Sequence, residues 1–94
     1  MSKRDEYVAK LKNKLDEWNK DVDKLEAKSE HVKEEVKEKY HEELEVVKKQ
    51  RDNARAKAME LIESGEEAWE ELKVGVEQAW QKFTEAVDKA HSKF

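Results

Sequence analysis

A heptad repeat is the strongest constraint on this chain. Val8, Leu11, Leu15, Trp18, Val22, Leu25, Ser29, Val32 and Val36 follow one another at alternating spacings of three and four. On a helix of about 3.6 residues per turn these positions share one face, and a repeat averaging about 3.5 residues winds that face into a left-handed supercoil. Only Ser29 among them is polar. The chain has no Pro, and its 94 residues include only two Gly. A long helix is therefore expected from about residue 3. Ser2 and Asp5 suit its start, because a hydroxyl can accept a backbone N–H and a carboxylate favours the positive end of the helix dipole.

Beyond Val36 the phase slips. Tyr40, Leu44 and Val47 come at spacings of four, four and three, a stutter that locally unwinds a supercoil. The seam then thins to Val47, Arg51, Ala54, Ala58 and Leu61, where small residues let a partner helix approach closely. Acid-to-base pairs such as Glu6–Lys10, Asp16–Lys20, Glu35–Lys39 and Glu45–Lys49 add roughly 0.2–0.5 kcal/mol each. As one helix over about residues 3–63 this arm would be about 90 Å long.

Glu63-Ser64-Gly65-Glu66-Glu67 interrupts the pattern. Gly65 suits the left-handed residue that often ends a helix. Ser64 followed three residues later by Glu67 reads as a capping box opening the next helix. A break at 64–65 and a shorter helix over about 66–92 follow. A hairpin is the expected arrangement; a kinked continuous rod is the alternative, since a lone Gly costs a helix only about 1 kcal/mol. The short arm repeats every 11 residues: Ala68-Trp69, Ala79-Trp80, Ala90-His91, with Leu72, Phe83 and Phe94 in step and Val76 with Val87. Eleven residues make three turns, so this stripe runs nearly parallel to the helix axis.

Folded back, the hairpin would bury Val36, Tyr40, Leu44, Val47, Ala54, Ala58 and Leu61 against Trp69, Leu72, Val76, Trp80, Phe83, Val87 and Phe94. Leu72 would face Ala58, and Val76 would face Ala54. The short arm would end level with Val36. Tyr7, Val8, Leu11, Leu15, Trp18, Val22, Leu25 and Val32 would then have no partner in the same chain. Covering them is worth more than about 10 kcal/mol as an upper estimate. The expectation is one all-α domain over 1–94, a long helix plus a shorter antiparallel helix. It assembles into a homo-oligomer, most simply a two-fold antiparallel dimer joined through Val8, Leu11, Leu15, Trp18, Val22, Leu25 and Val32.

The residues offer little chemistry. There is no Cys, hence no thiol nucleophile or Cys-based metal site, which is compatible with a reducing cytoplasm. Met1-Ser2-Lys3-Arg4-Asp5-Glu6 lacks an apolar stretch, so no signal peptide is visible. The 24 acids and 20 bases are interleaved, leaving no basic stripe for nucleic acid and no polybasic anchor for lipid. Glu38-x-x-His41 matches one element of a di-iron bundle, but Glu38 points away from the seam and such a site needs two such elements and two further Glu, all pointing inward. Asp88-x-x-His91 sits at the helix end. His31 and His41 lie off the seam and read as ordinary exposed histidines. No nucleophile–base pair, phosphate loop or zinc spacing is present. No enzyme, metal or cofactor is expected. Trp18, Trp69 and Trp80 fall at seam spacings and read as core. Tyr40, Leu44, Val46 and Val47 could form a docking groove for another protein. The 11-residue Trp repeat suggests a lipid or client surface, although the arm from Glu66 onward carries seven acids and four bases, unlike the basic polar face of interfacial helices.

Several stretches are familiar in wording. Tyr7-Val8-Ala9-Lys10-Leu11-Lys12, Leu15-Asp16-Glu17-Trp18-Asn19, Asp23-Lys24-Leu25-Glu26-Ala27-Lys28 and Ser64-Gly65-Glu66-Glu67-Ala68-Trp69-Glu70-Glu71-Leu72-Lys73 resemble small bacterial coiled-coil proteins labelled stress-response or uncharacterised. The resemblance runs nearly the length of the chain to Phe94 and implies no catalytic site, cofactor or substrate. The short arm alone is also similar to the 11-residue repeats of late-embryogenesis-abundant proteins and apolipoproteins, from which the heptad seam and the bulky Trp and Phe depart. The functional expectation is a non-enzymatic, self-associating structural or interaction protein, stress-related and cytoplasmic. The alternative is an amphipathic-helix protein that binds a lipid surface or a client through the Trp repeat.

Overall fold

In the computed structural model, which describes residues 3–93, the heptad face does become helix, but not one unbroken helix. Helix α1 spans Lys3–Lys28, a single 3-10 turn covers Ser29–His31, α2 spans Glu34–Glu63 and α3 spans Trp69–Lys93. No strand is present among the described residues. Phe94 and Ser2 lie outside the described residues.

The hairpin stands: α2 and α3 run antiparallel and are the most closely apposed pair. The single long helix does not. It is divided at Ser29–Lys33, where Val32 (φ −82°, ψ 140°) and Lys33 (φ −60°, ψ 141°) are extended. The Ser29 hydroxyl donates to the Glu26 carbonyl at 2.5 Å, and such a bond competes with the backbone ladder of a helix. Glu34 and Glu35 then fill the first turn of α2, where carboxylates meet the positive end of the dipole. The turn reverses the chain, so α1 lies antiparallel to α2 and parallel to α3. The result is an up-down-up bundle of 51 × 18 × 18 Å, not a rod of about 90 Å.

This reversal corrects the assignment of the N-terminal seam. Leu11, Trp18, Val22 and Leu25 are buried within the chain, with Tyr7, Val8 and Leu15 packed at their margin. Val32 alone stays half-exposed in the turn. The uncovered seam that called for a second copy is covered by α2 and α3. The physical reason is proximity: closing a five-residue turn costs little chain entropy, while a dimer must also give up translational freedom.

From α2 the core takes Tyr40, Leu44, Val47, Ala54, Ala58 and Leu61; from α3 it takes Trp69, Val76, Ala79, Phe83, Ala86 and Ala90. Leu72, Trp80 and Val87 are half-buried, as is Val36. The α3 seam is thus wider than the 11-residue stripe, because α3 faces two neighbours. The alanines on α2 and α3 permit the close approach of those two helices.

The connection between α2 and α3 is longer than the break at 64–65, and α3 begins at Trp69 rather than near 66. Ser64 is extended (φ −75°, ψ 161°), and its hydroxyl bonds back to the Leu61 carbonyl at 2.6 Å instead of capping the next helix. Gly65 does not adopt a left-handed conformation. The longer turn shifts the register from the one expected, which set Leu72 opposite Ala58: the Lys57 side chain reaches Gly75.

Candidate functional site

The side chains with binding chemistry gather where α1 and α3 run side by side. A heptad face on α1 and the Trp stripe on α3 meet at two levels. At the first, the Tyr7 and Trp69 rings lie 6.0 Å apart at 39°, and the Lys73 ammonium stands 5.1 Å from the Tyr7 centroid and 5.9 Å from that of Trp69. At the second, Trp18 meets Trp80 edge-on at 5.6 Å and Phe83 at 5.7 Å. Lys10 and Lys14 from α1 cover the outer face of Trp80, at 5.7 and 5.4 Å. A cation over an aromatic face contributes about 0.5–1 kcal/mol at an exposed site.

Each level opens into a shallow cleft. The first, of about 260 Å³, is lined by Lys3, Glu6, Tyr7, Lys10, Trp69 and Lys73. The second, of about 310 Å³, holds Trp18, Trp80, Phe83 and Val87 between Lys14 and the carboxylates of Glu17, Asp21 and Asp88. The ledge is therefore apolar along its floor and charged with both signs along its rim.

The bundle end nearest the first level is closed by Arg4. Its Nη2 donates to the carbonyls of Ile62 at 2.8 Å and Ser64 at 2.6 Å, satisfying acceptors that the end of α2 leaves without a helical partner. Its Nη1 reaches Asp5 at 3.3 Å. Tyr7 donates to Glu77 at 3.4 Å. Burial, then the neighbouring Glu77 charge and this bond, push the Tyr7 phenol up from an ordinary 10.0 to about 12. At the far end the Lys48 ammonium meets Glu26 at 2.6 Å, which raises the Lys48 pKa. Burial likewise pushes the Tyr40 phenol up.

The other candidates fare differently. Glu38 and His41 are both exposed, as are His31 and His91, and no three His, Cys, Asp or Glu converge among the described residues. Tyr40, Leu44 and Val47 do not form a surface groove; they are core, and Val46 alone is exposed, at 45%. Trp18 and Trp69 are core, while Trp80 is half-exposed on the ledge. Arg4, Lys14, Lys73 and Glu77 were not singled out by sequence reasoning, and Lys10 entered it as the helical partner of Glu6. For Lys10, Lys14, Lys73 and Glu77 a signal was present, since each is next to a seam position. It becomes legible only once α1 is laid beside α3. No described helix is long and apolar enough to cross a membrane.

Comparison with protein-family models, with curated proteins and with solved structures gives no match.

Proposed function

We propose that this chain works by binding and not by catalysis, as a helical interaction protein whose working surface is the α1–α3 ledge. The observation that supports this reading is the half-exposed Trp80 under the ammonium groups of Lys10 and Lys14. Aromatic rings with a polar rim are the composition that interfaces favour. The resemblance to small bacterial coiled-coil proteins adds a stress-related, cytoplasmic setting to the proposal. Self-association belongs to it as well.

The test is cross-linking inside cells from two positions. A photoreactive residue at Thr84, on the rim of the ledge, is expected to give discrete adducts. The same residue at exposed Lys49 on α2 is expected to give none. Equal labelling from both positions, or none from either, rejects the ledge as the working surface.

The half-exposed Trp80 beside lysines also favours a second reading, in which the ledge rests on a lipid surface. That reading requires a blue shift of Trp emission with vesicles. Its absence with both neutral and anionic vesicles disposes of it.

A further inference from the structure

The turn between α1 and α2 is unusual for a chain reversal. From Lys28 to Val36 it contains neither Gly nor Pro. Neither Lys28 nor Lys33 makes a side-chain capping bond there. The heptad register nevertheless runs straight through it: Leu25, Ser29, Val32 and Val36 keep their spacings of four, three and four. A sequence that specifies only a turn has no reason to preserve that register. The closed turn also leaves apolar surface uncovered, since Val32 and Val36 are half-exposed around an open cleft of about 350 Å³ with Lys28, His31, Lys33 and Lys93.

We propose that Ser29–Lys33 straightens into continuous helix and that two copies of this chain exchange α1, each α1 docking on the α2–α3 hairpin of the other copy. The occupant of the α1 site is chemically identical in either state. The Arg4 bonds to Ile62 and Ser64, the Tyr40 bond to Leu25 and the Trp18–Trp80 contact are all remade between copies. The exchange adds the helical hydrogen bonds of the former turn, and it brings Val32 and Val36 of both copies to the crossing of two long helices. Exchange of an identical element is a low-cost route to a symmetric dimer, and mass action makes its population rise with concentration. The proposal is independent of what the α1–α3 ledge binds.

The absence of Cys permits a direct test. Glu26 and Lys48 are neighbours across α1 and α2, with their charged atoms 2.6 Å apart. Chains carrying Glu26→Cys and chains carrying Lys48→Cys are mixed, unfolded, refolded together and treated with a short bismaleimide. Refolding at millimolar concentration is expected to give a 26–48 link between different chains, and refolding at micromolar concentration to give far less. Lys33→Pro placed in both chains is the control. Residue 33 already has φ −60° and residue 32 has ψ 140°, so Pro fits the closed turn but opposes a continuous helix. The link is expected to fall by about a hundredfold or more in that background, with helix content unchanged. Ser29→Leu, which fills the one polar position of the heptad stretch from Val8 to Val36, is expected to raise it. Absence of the interchain link at millimolar concentration overturns the proposal. So does equal linking in the Lys33→Pro background, or a Ser29→Leu chain that stays wholly monomeric.

Discussion

The Tyr40 hydroxyl donates to the Leu25 carbonyl at 2.6 Å, and the Tyr40 side chain is 1% exposed. The bond joins the last turn of α1 to the second turn of α2 and serves a carbonyl among the final four of a helix, which lack N–H donors along the helix itself. Tyr40→Phe keeps the ring and leaves that buried carbonyl without the phenol. A loss of about 1–2 kcal/mol is expected, read as a lower urea midpoint with an unchanged slope.

Arg4 acts at the opposite end of the bundle. Arg4→Met removes two donors from the end of α2 while keeping an apolar stem. Stability is expected to fall by about 1–2 kcal/mol, with loss of amide protection concentrated in the first two turns of α1. Arg4→Lys is expected to restore part of the loss, because a single nitrogen, Nη2, serves both carbonyls and an ammonium carries three N–H donors.

The two glycines are expected to tolerate a side chain. A Cβ on Gly75 would meet only the Lys57 Cδ, at 3.9 Å, and one on Gly65 would meet nothing within 4 Å. Neither has positive φ. Gly75→Ala, in the interior of α3, is expected to raise stability by about 0.5–1 kcal/mol. Gly65→Ala is expected to raise it by up to about 1 kcal/mol through the unfolded chain. Thermal midpoints of the two variants check both.

Alkaline pH probes the ledge. The Tyr7 phenol is raised to about 12 in the folded chain from an ordinary 10.0. The folded state therefore holds this proton more tightly than the unfolded state, and the stability so contributed is complete below pH 10 and lost as pH rises to about 12. Phenolate absorbance is expected to show Tyr7 ionising near 12. Glu77→Gln is expected to lower that midpoint by removing the adjacent negative charge.

Trp18 is the keystone between α1 and α3. Trp18→Ala deletes its contacts with Trp80 and Phe83. A loss of about 3–5 kcal/mol is expected, together with a red shift in the emission of Trp80 as its inner edge meets water.

Much of this fold was legible in the spacing of apolar residues. The heptad and hairpin positions from Leu11 to Phe83 supply most of the core, and the interruption after Glu63 does reverse the chain. The division of the long arm was not legible by the usual punctuation, because Ser29–Lys33 holds no Gly or Pro. Its one trace is a serine where the seam wants an apolar residue. Periodicity measures which face is apolar, and a helix with a turn that preserves register has the same apolar face as one without. Gly65 illustrates the opposite error: the residue type that best fits a left-handed cap occupies an ordinary conformation. The candidate site was harder still. Lys10, Lys14 and Lys73 acquire meaning only from the aromatic rings they cover across the α1–α3 contact, Trp80 for the first two and Tyr7 for the third, and those lie 66 to 70 residues away in sequence.

That separation matters most while the protein is being made. The Arg4 bonds close loops of 58 and 60 residues, and the bond from Tyr7 to Glu77 closes one of 70. At about 5–20 residues per second, the segment that Tyr7 needs emerges roughly 4–14 s after Tyr7 itself. Helix α1 thus leaves the ribosome ahead of α2 and α3 and, in its first turns, is among the last to find its native neighbours. For those seconds the part of its face that α3 covers stands bare, close to the nascent chains of the same polysome.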